Sequence, residues 1–142
     1  MSKQEINLEQ MGNMVSFVKT LGIKLTQADK AIIAGKLLIR QEICNHEPNV
    51  HGGAIMALAD ALGAFGAWLN MPEGCGGTTT TESKTNFIRP ALVGDTLHGK
   101  SRPLSVGRRL SVWQTEINRD DGKLVAQVTQ TQLYLWPLAK GK

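Results

Sequence analysis

The segment "VHGGAIMALADALGAFGAWLN", residues 50–70, decides the fold of this 142-residue chain. Its bulky side chains recur at spacings of three and four residues, which places them on one face of an α-helix. These side chains are Ile55, Leu58, Leu62, Phe65 and Leu69. Residues 70–72, Asn-Met-Pro, then supply a stop signal. The segment therefore predicts a long buried helix that carries one carboxylate, Asp60.

Asp60 points away from the bulky face of this helix. It lies about 200° from Leu58 around a helix of 3.6 residues per turn. Its neighbours at helical spacing are Met56, Gly63, Ala64 and Ala67. Small side chains permit close approach, so we expect the bulky face on the chain's own sheet and the small face against something else. A carboxylate there must be hydrogen-bonded or paired, and a catalytic acid, base or nucleophile needs such surroundings. The alternative is that Asp60 reaches solvent or caps a backbone group.

The glycines at the start of the helix expose N–H groups that have no acceptor within the helix, where the helix dipole favours negative charge. Such a site can hold an oxyanion, although Gly52-Gly53 after His51 is also typical of a tight turn. Gly52 and Asp60 are eight residues apart, or about 12 Å along a helix. A reaction that uses both therefore predicts two antiparallel helices, with Gly52 of one subunit meeting Asp60 of the other.

The rest of the chain predicts an antiparallel sheet around this helix. Strands are expected over residues 30–44, 78–88, 95–105, 108–118 and 123–136. The last two strands flank the hairpin signal Asp120-Asp121-Gly122. A short N-terminal helix is expected between Leu8 and Leu21, where apolar residues stand close to helical spacing. One long helix and a run of strands indicate an α+β fold.

Length and composition indicate one soluble globular domain, with 42% hydrophobic and 20% charged residues. We divide the chain into an N-terminal helical segment (1–28), the single domain (29–138) and a disordered tail (139–142). The N-terminus lacks the apolar core of a secretory signal, and the longest apolar stretch is shorter than a membrane span. We expect a cytoplasmic protein that does not bind membranes.

Charge and cysteine content exclude some classes of function. The net charge of +4 favours an anionic partner, but aromatic residues make up only 5% of the chain. A nucleic-acid surface interleaves basic and aromatic side chains, so that function is excluded. Cys44 and Cys75 are too few and too far apart for a disulfide framework or a metal site; we expect two reduced thiols.

Two motifs together carry a family resemblance. "NHEPNVHGGAIMALAD" (45–60), followed by "TNFIRPALVGD" (85–95), resembles the hotdog-fold acyl-CoA thioesterases. The branch is that of the phenylacetate-degradation and 4-hydroxybenzoyl-CoA thioesterases, and the likeness runs from about Asn45 to Tyr134. It implies a hotdog domain, in which a five- to six-stranded antiparallel sheet wraps a long central helix. It also implies hydrolysis of a small aromatic or medium-chain acyl-CoA to free acid and CoA, with no metal and no cofactor besides the CoA of the substrate.

The resemblance also implies roles for individual residues. The family has Asn or Gln six residues before the His of the HGG motif, and Asp or Glu nine residues after it; here these are Asn45 and Asp60. The N–H of Gly52 would polarise the thioester carbonyl, His51 would fix the loop, and Asn45 would orient the carbonyl or the attacking water. Asp60 of the neighbouring subunit would act as nucleophile or general base. Thr80 would hold water or Asp60, the alternative being a solvent-facing strand threonine.

One position departs from the family, which commonly has Gly three residues after the Asn. Pro48 stands there and fixes φ near −65°, where glycine could take a positive value.

The basic residues of the β half are expected, as a group, to bind the CoA phosphates through charge-assisted hydrogen bonds. They are Lys84, Arg89, Arg102, Arg108 and Arg109.

Two other hotdog functions are weighed against thioester hydrolysis. An acyl-CoA hydratase needs an Asp and His pair, and His46, His51 and His98 do not match that pattern. A non-catalytic acyl-CoA sensor would bind without hydrolysis, but such regulators usually carry a helix-turn-helix module, for which some 25 residues before the first strand leave no room. We expect a homodimer with shared active sites, paired again into a tetramer.

Overall fold

A single long helix crosses one face of a six-stranded sheet in the computed structural model, which describes residues 5–138. The helices are α1 (Leu8–Asn13), α2 (Ser16–Leu21) and α3 (Gly52–Leu69), with a 3₁₀ turn at Gln41–Ile43. The strands are β1 (Lys24–Ala28), β2 (Ile33–Leu38), β3 (Gly77–Phe87), β4 (Thr96–Val106), β5 (Leu110–Asn118) and β6 (Leu124–Leu135). The α+β class and the positions of α3 and of the last four strands are confirmed.

The sheet has the strand order β1-β2-β4-β5-β6-β3, and each neighbouring pair is antiparallel. β3 directly follows the helix in the chain, yet it lies at the far edge, where it pairs with β6. β1 forms the other edge. The chain therefore places its longest unshared strand edge beside the helix that carries Asp60.

The bulky face of α3 packs on the sheet as predicted. Leu58 and Leu62 are fully buried in the main core. Glycines on the neighbouring strands β2 and β4 make room for Leu62: a Cβ at Gly99 would lie 2.6 Å from its Cδ1, and one at Gly35 would lie 3.0 Å from its Cδ2. The helix thus lies close to the sheet because the strands beneath it lack side chains there.

The small residues of α3 do not all face away from the sheet, so that prediction is wrong in part. A Cβ at Gly63 would overlap the side-chain amide of Gln130, and one at Gly66 would overlap the ring of Trp113. Both large side chains are buried beneath the helix. Gly63 and Gly66 therefore admit large residues of the chain's own β5 and β6, because the sheet curves around the helix on more than its bulky face.

The N-terminal region contains two helices instead of the one predicted, with the break at residues 14–15. Asn7 caps α1, its Oδ1 accepting the N–H of Gln10 at 3.0 Å. α2 ends at Gly22, whose φ of +83° lies in the left-handed region that glycine adopts most readily. α2 packs beside α3 and α1 packs on β1, with Met11 and Val18 buried in the shared core.

The prediction of one strand over residues 30–44 is wrong in its bounds. β1 and β2 are separated by a turn in which Asp29 Oδ1 accepts the N–H groups of Ala31 and Ile32 at 2.8 and 2.9 Å. β1 gives a weak sequence signal because Leu25 is its one buried residue. It lies inside residues 1–28, the range predicted to be helical. The predicted disordered tail, residues 139–142, lies outside the described residues.

α3 is the one described helix that is long and apolar enough to cross a membrane. Ten of its residues, including Leu58, Leu62 and Phe65, are buried within the protein. Its apolar character is therefore explained by its place in the core.

Candidate active site

His51 caps the start of α3. Its Nδ1 accepts the N–H of Gly53 at 2.8 Å, and its backbone oxygen accepts the N–H of Ala54 at 2.9 Å. The N–H of Gly52 has no hydrogen-bond partner within residues 5–138. A Cβ at Gly52 would come within 3.2 Å of the Phe87 ring. The helix start thus leaves one backbone donor, that of Gly52, beside an aromatic ring.

A chain of hydrogen bonds ends on Asp60. Thr80 Oγ1 donates to Asp60 Oδ1 at 2.6 Å, and Gln132 Nε2 donates to Thr80 Oγ1 at 2.6 Å. Thr78 Oγ1 donates to the other amide atom, Gln132 Oε1, at 3.1 Å. Because the amide N–H can only donate, the single proton of the Thr80 hydroxyl is directed at the carboxylate. Gln132 is fully buried, so the chain is fixed from beneath the sheet surface.

The local strand geometry places these side chains together. Thr80 stands opposite Gln132 in the β3–β6 register, and a bulge follows between Thr80 and Glu82. Across that bulge the partner of Gln130 is Ser83, so both strands keep polar side chains toward the helix. Gln130 Nε2 lies 3.4 Å from the backbone oxygen of Asp60. One flank of Asp60 is therefore a polar strip of β3 and β6.

Three buried atoms of this polar strip have no hydrogen-bond partner among the described residues: Ser83 Oγ, Thr85 Oγ1 and Gln130 Oε1. Such atoms are uncommon in folded proteins, where buried polar groups are normally paired with protein or water. Their side chains lie on β3 and β6, whereas the opposite flank of Asp60 is apolar.

That opposite flank is a cavity of about 240 Å³ between the pair α1–α2 and α3. Met11, Met14 and Phe17 are among the N-terminal residues on its wall, and Asp60, Ala64 and Trp68 are among those of α3. Among the described residues, Asp60 is the one ionisable side chain on this wall. The half-buried carboxylate therefore stands at the boundary between a polar strip and an apolar cavity.

The loop that precedes α3 carries Asn45, whose side chain is exposed. Its backbone N–H donates to the oxygen of Asn49 at 2.9 Å, and the backbone oxygen of Pro48 accepts the N–H of Val93 at 3.0 Å. No non-glycine residue described has a positive φ. Pro48 is thus accommodated in a turn that does not need the backbone freedom of glycine.

The predicted catalytic residues form two groups within one chain. Asp60 and Thr80 are in direct contact. His51 and Gly52 form the start of α3, and Asn45 lies in the loop before it. Gly52 is eight residues and about 12 Å along the helix from Asp60. One chain alone does not bring the two groups to a single carbonyl.

The predicted phosphate ligands do not converge within one chain. Arg89 donates to the backbone oxygen of Leu124, the first residue of β6, at 3.0 Å. Arg108 stacks at 4.3 Å over the ring of Trp136, just beyond the other end of β6, and Arg109 is its neighbour. β6 has 12 residues, or roughly 35 Å from end to end. Lys84 and Arg102 lie on β3 and β4, which β5 and β6 separate.

Sequence reasoning missed Gln130 and Gln132. In β6 these two amides alternate in phase with Val128 and Tyr134, which are buried. Polar residues at the core positions of a strand need internal partners, so the period-two pattern was an available signal.

Within residues 5–138, no three His, Cys, Asp or Glu side chains cluster as metal ligands do.

Comparison with known proteins relates the chain to thioesterases. Residues 47–126, more than half of the chain, match the model of the thioesterase superfamily. The chain is 31% identical to the proofreading thioesterase EntH of Klebsiella pneumoniae, over 76% of this chain and 77% of the relative. It is 30% identical to the 1,4-dihydroxy-2-naphthoyl-CoA hydrolase of Escherichia coli, over 86% of this chain and 90% of the relative.

The acyl-coenzyme A thioesterase PaaI of Escherichia coli is also similar. Its sequence is 26% identical over 76% of this chain and 74% of that protein. Its solved structure superposes with a TM-score of 0.82, at 23% identity, over 91% of each chain. The structural match establishes that both chains share one fold.

Proposed function

Because the chain belongs to the thioesterase superfamily and is a thioester hydrolase of the hotdog fold, we propose that its substrate is a small aromatic or medium-chain acyl-CoA. Asp60 acts as nucleophile or general base, and the N–H of Gly52 stabilises the oxyanion. Water attacks the acyl carbon directly or hydrolyses an acyl-Asp60 intermediate. The C–S bond breaks, and the CoA thiolate leaves and takes up a proton.

One observation carries this proposal: Asp60 is held by the Thr80 hydroxyl at 2.6 Å on the wall of an apolar cavity. A fixed carboxylate at the border of an apolar site suits general-base or nucleophilic catalysis. The second supporting feature is the N–H of Gly52, at the positive end of the α3 dipole and without a partner in the described part of the chain. His51 holds this loop through the N–H of Gly53, and the exposed Asn45 orients the carbonyl or the water.

The proposal requires a homodimer, because the two groups are about 12 Å apart along one helix. β3 runs beside α3, with Phe87 against Gly52 and Thr80 against Asp60. Antiparallel pairing of two β3 edges about their middle residues would bring the Gly52 end of one copy alongside the Asp60 end of the other. Each dimer would then hold two shared sites, and we expect dimers to pair into tetramers.

The basic residues are proposed to bind CoA phosphates only in such an assembly, since they are spread over one chain. The reaction proposed uses no cofactor besides the CoA part of the substrate. We also propose that the enzyme works in the cytoplasm, where acyl-CoA is available.

The test is release of free thiol from acetyl-, hexanoyl-, octanoyl-, benzoyl- and phenylacetyl-CoA, with wild type beside Asp60→Asn. The amide keeps the shape of the carboxylate but cannot act as base or nucleophile. We expect wild-type turnover, and a loss of at least a hundredfold in a variant whose circular dichroism is unchanged. Equal activity of the two proteins would refute the role of Asp60. Tight acyl-CoA binding without turnover by wild type would instead indicate a non-catalytic acyl-CoA-binding protein.

A further inference from the structure

We propose that the cavity between the pair α1–α2 and α3 holds the acyl group, and that it restricts the enzyme to acyl groups without polar substituents. This inference rests on the proposed role of Asp60. Its consequence is that the N-terminal helices, which lie outside the matched family region of residues 47–126, determine substrate choice.

The position of Asp60 fixes where an acyl group must lie. A carboxylate that attacks the acyl carbon, or activates water beside it, stands within about 3–3.5 Å of the reacting atoms. The rest of the acyl group must then continue from Asp60 into adjoining space. On α3 that space is bounded by Ala57, Ala61 and Ala64, whose short side chains keep it open. The polar strip on the other flank is filled by Gln130, which lies against Gly63.

The lining of the cavity indicates the chemical class of the acyl group. Apart from Asp60, its wall consists of aliphatic, thioether and aromatic side chains. A hydroxyl or second carboxylate on the acyl group would lose water there without gaining a partner. The unpartnered atoms of Ser83, Thr85 and Gln130 do not line this cavity. An unsubstituted apolar group is therefore favoured.

The size of the cavity indicates the size of acyl group that it suits. An apolar cavity of about 150 Å³ holds one benzene molecule, and this one measures about 240 Å³. Its volume suits a single aromatic ring with a short linker or a medium-length chain.

Exposed apolar side chains surround the mouth of this cavity. Met14, Phe17 and Trp68 are 66%, 62% and 43% exposed, and each lines it. Large exposed apolar groups gathered at one place mark a binding site in soluble proteins. A flexible methionine and two aromatic rings can close over an acyl chain, so the proposed acyl group is the occupant that would cover them.

The first test is the acyl series of wild type. We expect kcat/KM to rise about fourfold per methylene, from acetyl-CoA until the cavity is full. We expect phenylacetyl-CoA to exceed 4-hydroxyphenylacetyl-CoA by at least about tenfold, since its ring leaves no hydroxyl unpaired. A flat series, or a preference for the hydroxylated ring, would overturn the inference.

Two variants change the cavity in opposite directions. Ala64→Leu fills it and should lower kcat/KM for octanoyl-CoA at least tenfold, while acetyl-CoA changes less than twofold. Phe17→Ala opens it and should move the preferred chain length upward; because Phe17 is mostly exposed, this variant tests the cavity even if Ala64→Leu does not fold. Ala34→Leu, the same exchange on the outer face of β2, is the matched control. It should leave kcat/KM unchanged for both octanoyl-CoA and acetyl-CoA.

Calorimetric binding of S-octyl-CoA, a thioether that cannot be hydrolysed, separates the two proposals. Affinity that falls in Ala64→Leu, in a protein without hydrolytic activity, would support the cavity and refute the proposed catalysis. Hydrolysis with equal affinity of both proteins would refute the cavity alone. Absence of binding to wild type would refute both.

Discussion

At the scale of single residues, Gly52 combines two properties that separate substitutions can distinguish. Its missing side chain admits the Phe87 ring, and its N–H has no hydrogen-bond partner among residues 5–138. Alanine keeps the N–H but adds a Cβ at 3.2 Å from the ring. Proline adds similar bulk and removes the N–H, at the first helical position, where proline is well tolerated.

We therefore predict that Gly52→Pro lowers kcat about 10²- to 10³-fold, the usual effect of losing one oxyanion donor. Gly52→Ala, the steric control, should lose less than tenfold. Steady-state kinetics of both variants on one acyl-CoA provides the measurement. If alanine and proline reduce kcat equally, the space beside Phe87 matters and the N–H does not.

The hydrogen-bond chain from Gln132 through Thr80 makes a second residue-scale prediction. Thr80→Val removes the hydroxyl that donates to Asp60, and Gln132→Leu removes the amide that directs this hydroxyl. Each should lower kcat about tenfold with KM little changed, because the carboxylate loses its fixed position. The double variant should lose little more than the worse single variant, since both act on one contact.

Thr129→Val, on the outer face of β6 opposite Lys84, serves as a control that should leave kcat unchanged. Fully additive losses in the double variant would show that Thr80 and Gln132 act separately.

These residues also show what sequence reasoning reached. Asp60 and Gly52 were predicted as site residues from the helix pattern and from the chemistry of helix starts, both of which are local. Gln132 was missed because its role depends on pairing with Thr80, which is 52 residues away in the chain. Within a single strand, the one local sign of an inward-facing amide is that it stands at the alternate positions occupied by buried residues.

At the scale of elements, the β5–β6 hairpin carries a titratable contact to β4. Asp120 Oδ1 pairs with His98 Nε2 at 2.6 Å, and its Oδ2 accepts the N–H of Thr96 at 3.3 Å. The hydrogen bond to His98, and then that to Thr96, lower the pKa of the Asp120 carboxyl below its ordinary value of 3.8. The folded protein therefore holds this carboxylate ionised more strongly than the unfolded chain does.

We predict that Asp120→Asn loses a stabilisation that exists in the wild type only when Asp120 is ionised. With a folded pKa below the unfolded one, this stability is fully present above the unfolded value and is lost as the pH falls through the folded value. Urea denaturation should show a difference between wild type and variant at pH 5 that shrinks below pH 3. A difference that is constant across this range would show that the charge of Asp120 does not contribute.

The elements themselves were predictable to different degrees. β3 to β6 were located because each is long, alternates and ends at turn signals such as Gly122. β1 was not predicted, because it buries only Leu25 and lies before a turn made by the Asp29 side chain, in a segment without glycine. β2 was predicted too long, because aliphatic residues continue beyond it to Ile43. The side of α3 that contacts the sheet was only partly predicted, since the contacts of Gln130 and Trp113 with this helix depend on the curvature of the sheet.

At the scale of the whole molecule, the separation between Gly52 and Asp60 gives the proposed shared site its sharpest test. In a mixed dimer of Asp60→Asn and Gly52→Pro chains, one site receives both substitutions. The other site joins the intact Asp60 of the proline variant to the intact Gly52 of the asparagine variant. Random association makes about half of the dimers mixed, each with one of two sites intact.

We therefore predict that each variant alone is nearly inactive, and that the two refolded together from denaturant at equal concentrations recover about a quarter of wild-type activity. Mixing the folded homodimers without denaturant is the control, because subunits that do not exchange should stay inactive. Recovery requires that each catalytic centre be built from two chains. If refolding together restores nothing while sedimentation shows mixed dimers, the two groups do not share a site, and the reaction depends on groups within a single chain.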